Sequence, residues 1–571
     1  MTRNSLRNKS ISTVSLAVLL LLGLIATALP VYAQVTDSSI TFTNTTLNDS
    51  GSSIAGNKVN ERVDDVVFCR GTSVLSDLIN TFICDYSCAS SDSECSDDFA
   101  NAISYVKSNN GGSIVMRQGT YPFGTDWSMN DTNNTLIQGK GNVTITMRNA
   151  KNAFTGYRIN NLQIRGITID GGNQTTGTPL KFWDINYFVA ENVNIIKYPE
   201  RGIWLQTDLT NNSNIILRNV RVTGNSTSQS SHFGITGTFG ANTLFEKVSV
   251  IDADNSGIDI SSTGFVGNQL FFNNSAQVAI QVTQPDPSGY MTLMNVEVLN
   301  SKDKGIILGS DTSTRISYNV RLLNFKVYNT TGYALYAQYC IDCIVEKGYL
   351  QSLASQGFVA DHPPYDRFVT RDLYVTNSTG ASVYGDSMKD ALYDHLVIEN
   401  GTSHGMQLFA PNRTRVVNSV IRYNGADGIY LQKRANDVII ETSEIYGNGK
   451  VSASSKRAIE FDVATGNMSW NIVRNNRIFN DEFGTNMTIG VYENGASAST
   501  LIVNNSYYGN EIRNVSNTRY LIGNQSYVDQ YTYTGTLPNC NTAGVFNEKS
   551  SRNSTHACSC TAGAWKCAAL S

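Results

Sequence analysis

Charge is scarce in this chain. Only 16% of its 571 residues are Asp, Glu, Lys or Arg, and the net charge is −4. No broad basic surface can be built from that balance, which excludes a general nucleic-acid binder. Prolines number only 10. Beyond the N-terminal segment no apolar run is long enough to cross a bilayer. Helical stretches are missing between the strand-like runs, which excludes βαβ units and a leucine-rich horseshoe. The tryptophan–aspartate signature of propellers is absent as well.

What is present is a repeated phrase. An Asn opens a short apolar alternation, polar residues follow, and a Gly opens a second apolar run. Asn192-Val193-Asn194-Ile195 precedes Gly202-Ile203-Trp204-Leu205, and Asn295-Val296-Glu297-Val298 precedes Gly305-Ile306-Ile307-Leu308. His395-Leu396-Val397-Ile398 leads to Gly405-Met406, and Asn418-Ser419-Val420-Ile421 to Gly428-Ile429. The Gly positions run Gly257, Gly305, Gly357, Gly405 and Gly428, with Ala279, Tyr333 and Ala381 filling the gaps. Each half-phrase alternates with period two, as a strand with one buried face does. One repeat cannot bury its own apolar face, whereas stacked repeats bury a continuous core. The expected fold is therefore all-β: a right-handed parallel β-helix, with its Asn side chains forming ladders along the axis. The 46 glycines fit turn-rich β-structure.

Four segments follow from composition. Residues 1–33 read as a signal peptide: Arg3, Arg7 and Lys9, an apolar run from Val14 to Leu29, then Val31-Tyr32-Ala33 as a cleavage site. Cleavage leaves no stable membrane span. Residues 34–68 are rich in Ser, Thr, Asn and Gly and read as a linker. Residues 69–535 form the coil with its N-terminal cap. Residues 536–571 form a small Cys-rich C-terminal tail that needs cross-links to hold a structure. Export makes the 10 cysteines legible. Cys69, Cys84, Cys88 and Cys95 precede the repeats, and Cys540, Cys558, Cys560 and Cys567 follow them. Both tetrads are expected to be disulfide-bonded, with three pairings open for each. Structural zinc fits less well because the spacings lack paired knuckles. Cys340 and Cys343 lie inside a strand phrase and read as a structural bond or two free thiols. Asn-x-Ser/Thr acceptors recur, among them Asn329, Asn377, Asn400 and Asn412, as on an exported glycoprotein surface.

Residues 97–106 carry an apolar stripe of Phe99, Ala102, Ile103 and Val106, with Asp97 and Asp98 in the first turn. Such a helix would cover the open end of the coil. Together with Gly111-Gly112-Ser113-Ile114, Gly119-Thr120-Tyr121, Leu136-Ile137-Gln138-Gly139 and Gly166-Ile167-Thr168-Ile169-Asp170-Gly171, this stretch resembles the opening of pectate-lyase-superfamily (pectin-lyase-like) β-helix proteins. The similarity extends over most of residues 96–515. It implies the fold, and a polysaccharide or glycan as ligand or substrate; whether by lyase, hydrolase or epimerase chemistry it does not say.

The departures narrow the site. There is no Gly-His-Gly, Arg-Ile-Lys or Trp-x-Asp-His pattern, and no calcium-binding nonapeptide array. Stacking must serve instead, because residues at one offset in successive turns share a face. Five residues beyond Gly357, Ala381, Gly405 and Gly428 stand His362, Asp386, Ala410 and Lys433, with Asp361 beside them. Uronate lyases need a base, a cation near the carboxylate and an acid, while glycosidases need two carboxyls across the bond. Asp361, His362, Asp386 and Lys433 are the catalytic candidates on this reading, with Tyr365, Arg367, Lys389, Arg413 and Arg434 as substrate-binding candidates. The same residue types also occur as solvated loop in any solenoid. His404 reads as a ladder residue. Asp252, Asp254 and Asp259 could hold calcium, but turn chemistry explains them equally, so no cofactor is expected. Two function classes remain: a secreted carbohydrate-active enzyme, or a non-catalytic cell-surface or adhesive β-helix.

Overall fold

The computed structural model describes residues 65–70, 84–89, 94–148, 152–172, 174–206, 214–225, 232–309, 316–361, 365–451, 456–462, 467–481, 487–494, 502–515, 518–521, 527–528, 531–532, 551–552, 556–561 and 564–569. The signal segment lies outside them. So does most of the linker, although its end, with Cys69 and Arg70, forms the first strand, Asp65–Arg70.

The coil is a parallel β-helix with three columns of strands along its axis. In the first column Asp65–Arg70 pairs with Gly112–Phe123, which pairs with Asn133–Met147, and the ladder continues to Ser506–Tyr508 and Tyr527–Val528. The second column is reached through a single bend, as where Gly264–Asn273 passes from one ladder into the next. The third column runs from Trp127–Ser128 through Ile258–Ser262 and Ile429–Gln432 to Thr518–Leu521. Pairing within the coil is parallel throughout the described residues. Antiparallel pairing enters only at the tail, where His556–Thr561 and Ala564–Ala569 form a hairpin that places Cys558 opposite Cys567. Cys540 and the side chains of Cys558, Cys560 and Cys567 lie outside the described residues.

The repeated Asn has a backbone cause. Asn192, Asn295, His395 and Asn418 each stand at the bend between the first two columns with φ of 54°, 54°, 55° and 50°. Asn reaches that left-handed region more cheaply than most residues, because its short amide bonds locally. The amides then bond along the axis: Asn219 donates to Asn192 at 2.6 Å and Asn295 to Asn268 at 2.7 Å. A second, buried ladder occupies the C-terminal turns. The Ser443 N–H donates to Asn476 Oδ1 at 2.9 Å, and Asn476 Nδ2 donates to Asn510 Oδ1 and to the Ile440 carbonyl, each at 3.0 Å. Asn476→Ala strands these buried groups, so it is expected to cost on the order of 2–4 kcal/mol. A lower urea midpoint with an unchanged native circular dichroism spectrum is the expected readout.

Inward residues of the third column stack as Ile258, Ile280, Ile306, Leu335, Phe358, Val383, Met406 and Ile429, each buried within one core. Helix α1, Ser96–Ser108, closes the N-terminal end with the expected stripe of Phe99, Ala102, Ile103 and Val106 buried. Phe99 meets Phe68 edge-on at 5.3 Å between ring centroids. Two disulfides, Cys69–Cys84 and Cys88–Cys95, tie this cap together, and Cys340–Cys343 forms a third in mid-coil. No described cysteine is free. Non-reducing peptide mapping is expected to recover these pairs; Cys69 linked to Cys88 or Cys95 would contradict them.

Candidate functional site

Alternate residues of each third-column strand point outward, and register stacks them into rows about 4.8 Å apart along the axis. One row passes through Tyr336, Val359, Tyr384, Gln407, Tyr430, Glu460 and Tyr492. The row two residues further on passes through Gln338, Asp361, Asp386, Phe409, Gln432, Asp462 and Asn494. Near the N-terminal end the same face carries Lys181, Trp183 and Trp204. The Lys181 ammonium sits 4.7 Å and 4.6 Å from the two indole centroids, and the Arg201 guanidinium lies 3.9 Å from that of Trp204. In mid-coil Ile307, Tyr336 and Val359 form an apolar cluster with Val278, against which Tyr333 and Tyr384 pack.

The structure keeps Asp361 and Asp386 together, in one row on adjacent turns. It corrects the stacking offset behind the other candidates. Phe358 pairs with Val383 and Val383 with Met406, so Ser382, not Ala381, aligns with Gly357 and Gly405. Likewise Ala334, not Tyr333, aligns with Gly305. Near-equal turn lengths were the wrong premise: the turn carrying residues 361–371 takes in one more residue. Lys433 consequently falls beyond the carboxylate row, three turns and roughly 14 Å along the axis from Asp361. It sits at φ 58° with its ammonium 3.9 Å from the Phe409 ring centroid. Lys433 cannot share one glycosidic bond with Asp361.

The proposed cation contacts have partners of their own. Arg367 makes a two-pronged pair with Asp342, and Arg413 does the same with Asp390 at 2.5 and 2.7 Å. Arg367, Asp390 and Arg413 all occupy left-handed corner positions. Opposite charges on successive turns therefore read as a ladder along one edge. Arg413 holds the Asp390 carboxyl below the usual carboxylate range. Lys389 and Arg434 are exposed at the same edge. Tyr365 lies in a short strand, Tyr365–Asp366, paired with Met388–Lys389; its side chain and all of His362 lie outside the described residues. Tyr384 stands beside both predicted carboxylates; burial first, then Asp386 and Asp361, push its hydroxyl up to about 12.

A denser cluster lies further along the same face. His404 and Asp427 occupy the position just before the Gly column on adjacent turns, with His404 Nδ1 and Asp427 Oδ2 3.4 Å apart. Both atoms are buried without a hydrogen bond of good geometry. The Arg457 backbone N–H donates to Asp427 Oδ1 at 2.8 Å, and its side chain donates to Glu460 Oε2 at 2.9 Å. Glu460 is 2% exposed and Asp427 fully buried. Burial, then the charge of Asp427 and a hydrogen bond with it, push the Glu460 carboxyl up to about 8. Two residues along, Asp462 accepts a hydrogen bond from the Tyr430 hydroxyl at 2.6 Å. Tyr430 in turn accepts from Gln432 Nε2 at 2.8 Å, and Gln432 Oε1 accepts from Gln407 Nε2 at 2.9 Å. His404 does behave as a stacking residue, with its ring 4.5 Å from that of Tyr430.

Sequence reasoning passed over Asp427, Tyr430, Glu460 and Asp462. The Gly column ends at Gly428, the next turn places Ala458 there, and a longer connection hides the register. The alternation in Arg457-Ala458-Ile459-Glu460-Phe461-Asp462 was the available signal. The acidic group at Asp252, Asp254 and Asp259 does not converge: Asp252 accepts from Asn274 at 2.7 Å, Asp254 pairs with His232 at 3.1 Å, and Asp259 points outward in the third column. Among the described residues no three or more His, Cys, Asp or Glu side chains are grouped to hold a metal.

No protein-family model matches the chain, and no curated protein matches it. Solved structures similar to it include the A-module of a mannuronan C-5 epimerase from Azotobacter vinelandii, at 14% identity over 76% of this chain and 96% of that one, with a TM-score of 0.30. A tailspike protein of Escherichia coli bacteriophage HK620 is similar at 14% identity over 72% of this chain and 76% of that one, with a TM-score of 0.44. The catalytic unit of an alpha-1,3-glucanase from Streptomyces thermodiastaticus is similar at 11% identity over 76% and 67%, with a TM-score of 0.29.

Proposed function

We propose that the protein binds and processes a polysaccharide, uronate-containing by preference, laid along the outer face of the third column. The observation that carries this reading is the register of aromatic and carboxylate side chains there, from Trp183 and Trp204 to Tyr492 and Asp462. Tyr and Trp offer flat apolar faces with a polar edge, which suits sugar rings, while carboxylates accept hydrogen bonds from sugar hydroxyls. A solenoid repeats that surface at every turn, so a chain polymer can touch many turns at once. Asp361 and Asp386 supply hydroxyl acceptors on this face, and Lys433 and Arg434 supply cations at its edge. The protein is secreted or held at the cell surface on this reading, since three disulfides among the described residues suit an oxidising compartment.

Immobilised polygalacturonate, polymannuronate and neutral dextran test the reading. Trp204→Ala and Tyr384→Ala are each expected to weaken binding of a uronate polymer roughly tenfold, about 1.4 kcal/mol. Tyr105→Ala serves as the control, since Tyr105 is 47% exposed but lies on helix α1 at the N-terminal cap, off the third column. Equal loss in all three variants, or binding by none of the polymers, would contradict the proposal.

A further inference from the structure

Glu460 and Asp462 are two carboxyl groups on one strand, Arg457–Asp462, both directed to the outer face. Their surroundings differ sharply. Around Glu460 stand Asp427, Arg457 and Asp462, with Tyr430 and Tyr492 on the neighbouring turns of its row. Asp462 is half-buried and receives the Tyr430 hydroxyl at the end of the relay from Gln407 and Gln432.

We infer that Glu460 and Asp462 are the catalytic pair of a glycoside hydrolase, Glu460 giving a proton to the glycosidic oxygen and Asp462 taking one from the attacking water. This rests on the proposed polysaccharide-binding reading of the same face. Side chains two residues apart leave the same face of a strand about 6.6 Å apart at their Cα atoms, and an inverting pair needs its carboxyls far enough apart to admit a water between sugar and base. The proton leaves Glu460 as the C1–O bond breaks, and the bonding pair stays on the departing oxygen. Water oxygen bonds to C1 and its proton passes to Asp462. One water is consumed, no oxidant or reductant is needed, and solvent returns the proton from Asp462 to Glu460. Differing environments for two carboxyls are what an acid and a base on one face require. Burial and the neighbouring charge of Asp427 favour the protonated form of Glu460, while the Tyr430 hydroxyl bond fixes the orientation of the Asp462 carboxylate on the outer face. Asp427 is a positioning residue, acting through Glu460.

The cover over Glu460 points to the substrate class. The Arg457 side chain lies on Glu460, is the more exposed of the two at 19% against 3%, and has its guanidinium 4.7 Å from the Tyr492 ring centroid. A uronate carboxylate competes with Glu460 for that guanidinium. Drawing Arg457 to the sugar bares the acid to the neighbouring glycosidic oxygen. Neutral polymers do not make that exchange.

The test uses the full chain and three probes: polygalacturonate, polymannuronate and dextran. Binding is followed by affinity electrophoresis, and cleavage by new reducing ends and ultraviolet absorbance of unsaturated product. At least one uronate polymer is expected to bind and be cut without unsaturated product, with inversion at C1 seen by proton magnetic resonance. Glu460→Gln and Asp462→Asn are expected to keep binding and fold while losing about a hundredfold or more in turnover. Gln mimics the protonated acid in shape, so a purely structural Glu460 would leave turnover intact. Asp427→Asn removes a charge that helps hold the proton on Glu460, so it is expected to move the alkaline limb of the pH profile to lower pH. Binding without cleavage, cleavage with unsaturated product, or turnover kept within threefold by either carboxyl variant overturns the catalytic pair and leaves the binding reading standing. Binding by none of the probes overturns both.

Discussion

Gly428→Val is expected to lower the urea midpoint strongly. A Cβ at Gly428 would lie 2.6 Å from the Ala458 carbonyl oxygen on the next turn, 2.6 Å from Ile445 Cγ2 and 3.0 Å from Asn448 Nδ2. Gly405 is as confined, at 2.5 Å from Ile421 Cγ2 and 2.7 Å from the Gly428 carbonyl oxygen. The backbones of successive turns approach here because nothing stands between them. Yet Ala279, Ala334 and Ala458 occupy the same column position elsewhere. The column therefore accepts a single methyl on some turns, and a branched side chain adds two more carbons to that confined space. Gly428→Ala is therefore expected to cost about 1 kcal/mol, and Gly428→Val about 3 kcal/mol or more. Because neighbouring turns stabilise each other, the loss should broaden the transition as well as shift it. Equal midpoints for the valine variant and the native chain would show that the column is not closely packed.

Glu460→Gln is expected to change how stability depends on pH. In the fold the Glu460 carboxyl is held at about 8, against an ordinary value of 4.5. The folded state therefore binds that proton more tightly than the unfolded chain does. The stability involved is fully present below pH 4.5 and is lost as pH rises from there through about 8. Glutamine has no proton to lose, so the variant escapes the decline. The two proteins should melt alike near pH 4, and near pH 9 the variant should be the more stable by on the order of 4 kcal/mol. Differential scanning calorimetry across that range reads the crossover. Parallel melting curves at every pH would mean that Glu460 titrates as an ordinary exposed carboxyl.

The architecture was legible because a solenoid writes its period into the sequence. The Asn that recurs at the bends, the alternation after it and the stripe of helix α1 all appear where the residues placed them. The site was legible in part. Asp361 and Asp386 do share a row, because both lie at the end of a third-column strand. Lys433 did not join them, since one extra residue in the turn carrying 361–371 shifts the offset, and a shift of one residue reverses which face a side chain takes. Arg367 and Arg413 looked available in sequence, but the corner geometry sets Asp342 and Asp390 beside them. Charges stacked on successive turns compensate each other along an edge, and a linear reading sees only that they are dense. The cluster at His404, Asp427, Tyr430, Glu460 and Asp462 joins residues from consecutive turns whose connections differ in length, so no fixed spacing marks it.

A crystal structure of the Glu460→Gln variant with a polygalacturonate or polymannuronate oligosaccharide tests the central claim most directly. The sugar rings are predicted to lie along the third column, crossing the turns that carry Tyr384, Tyr430 and Tyr492, with a glycosidic oxygen facing residue 460. An oligosaccharide ordered instead over the first or second column, with the third column's outer face bare, would contradict the account.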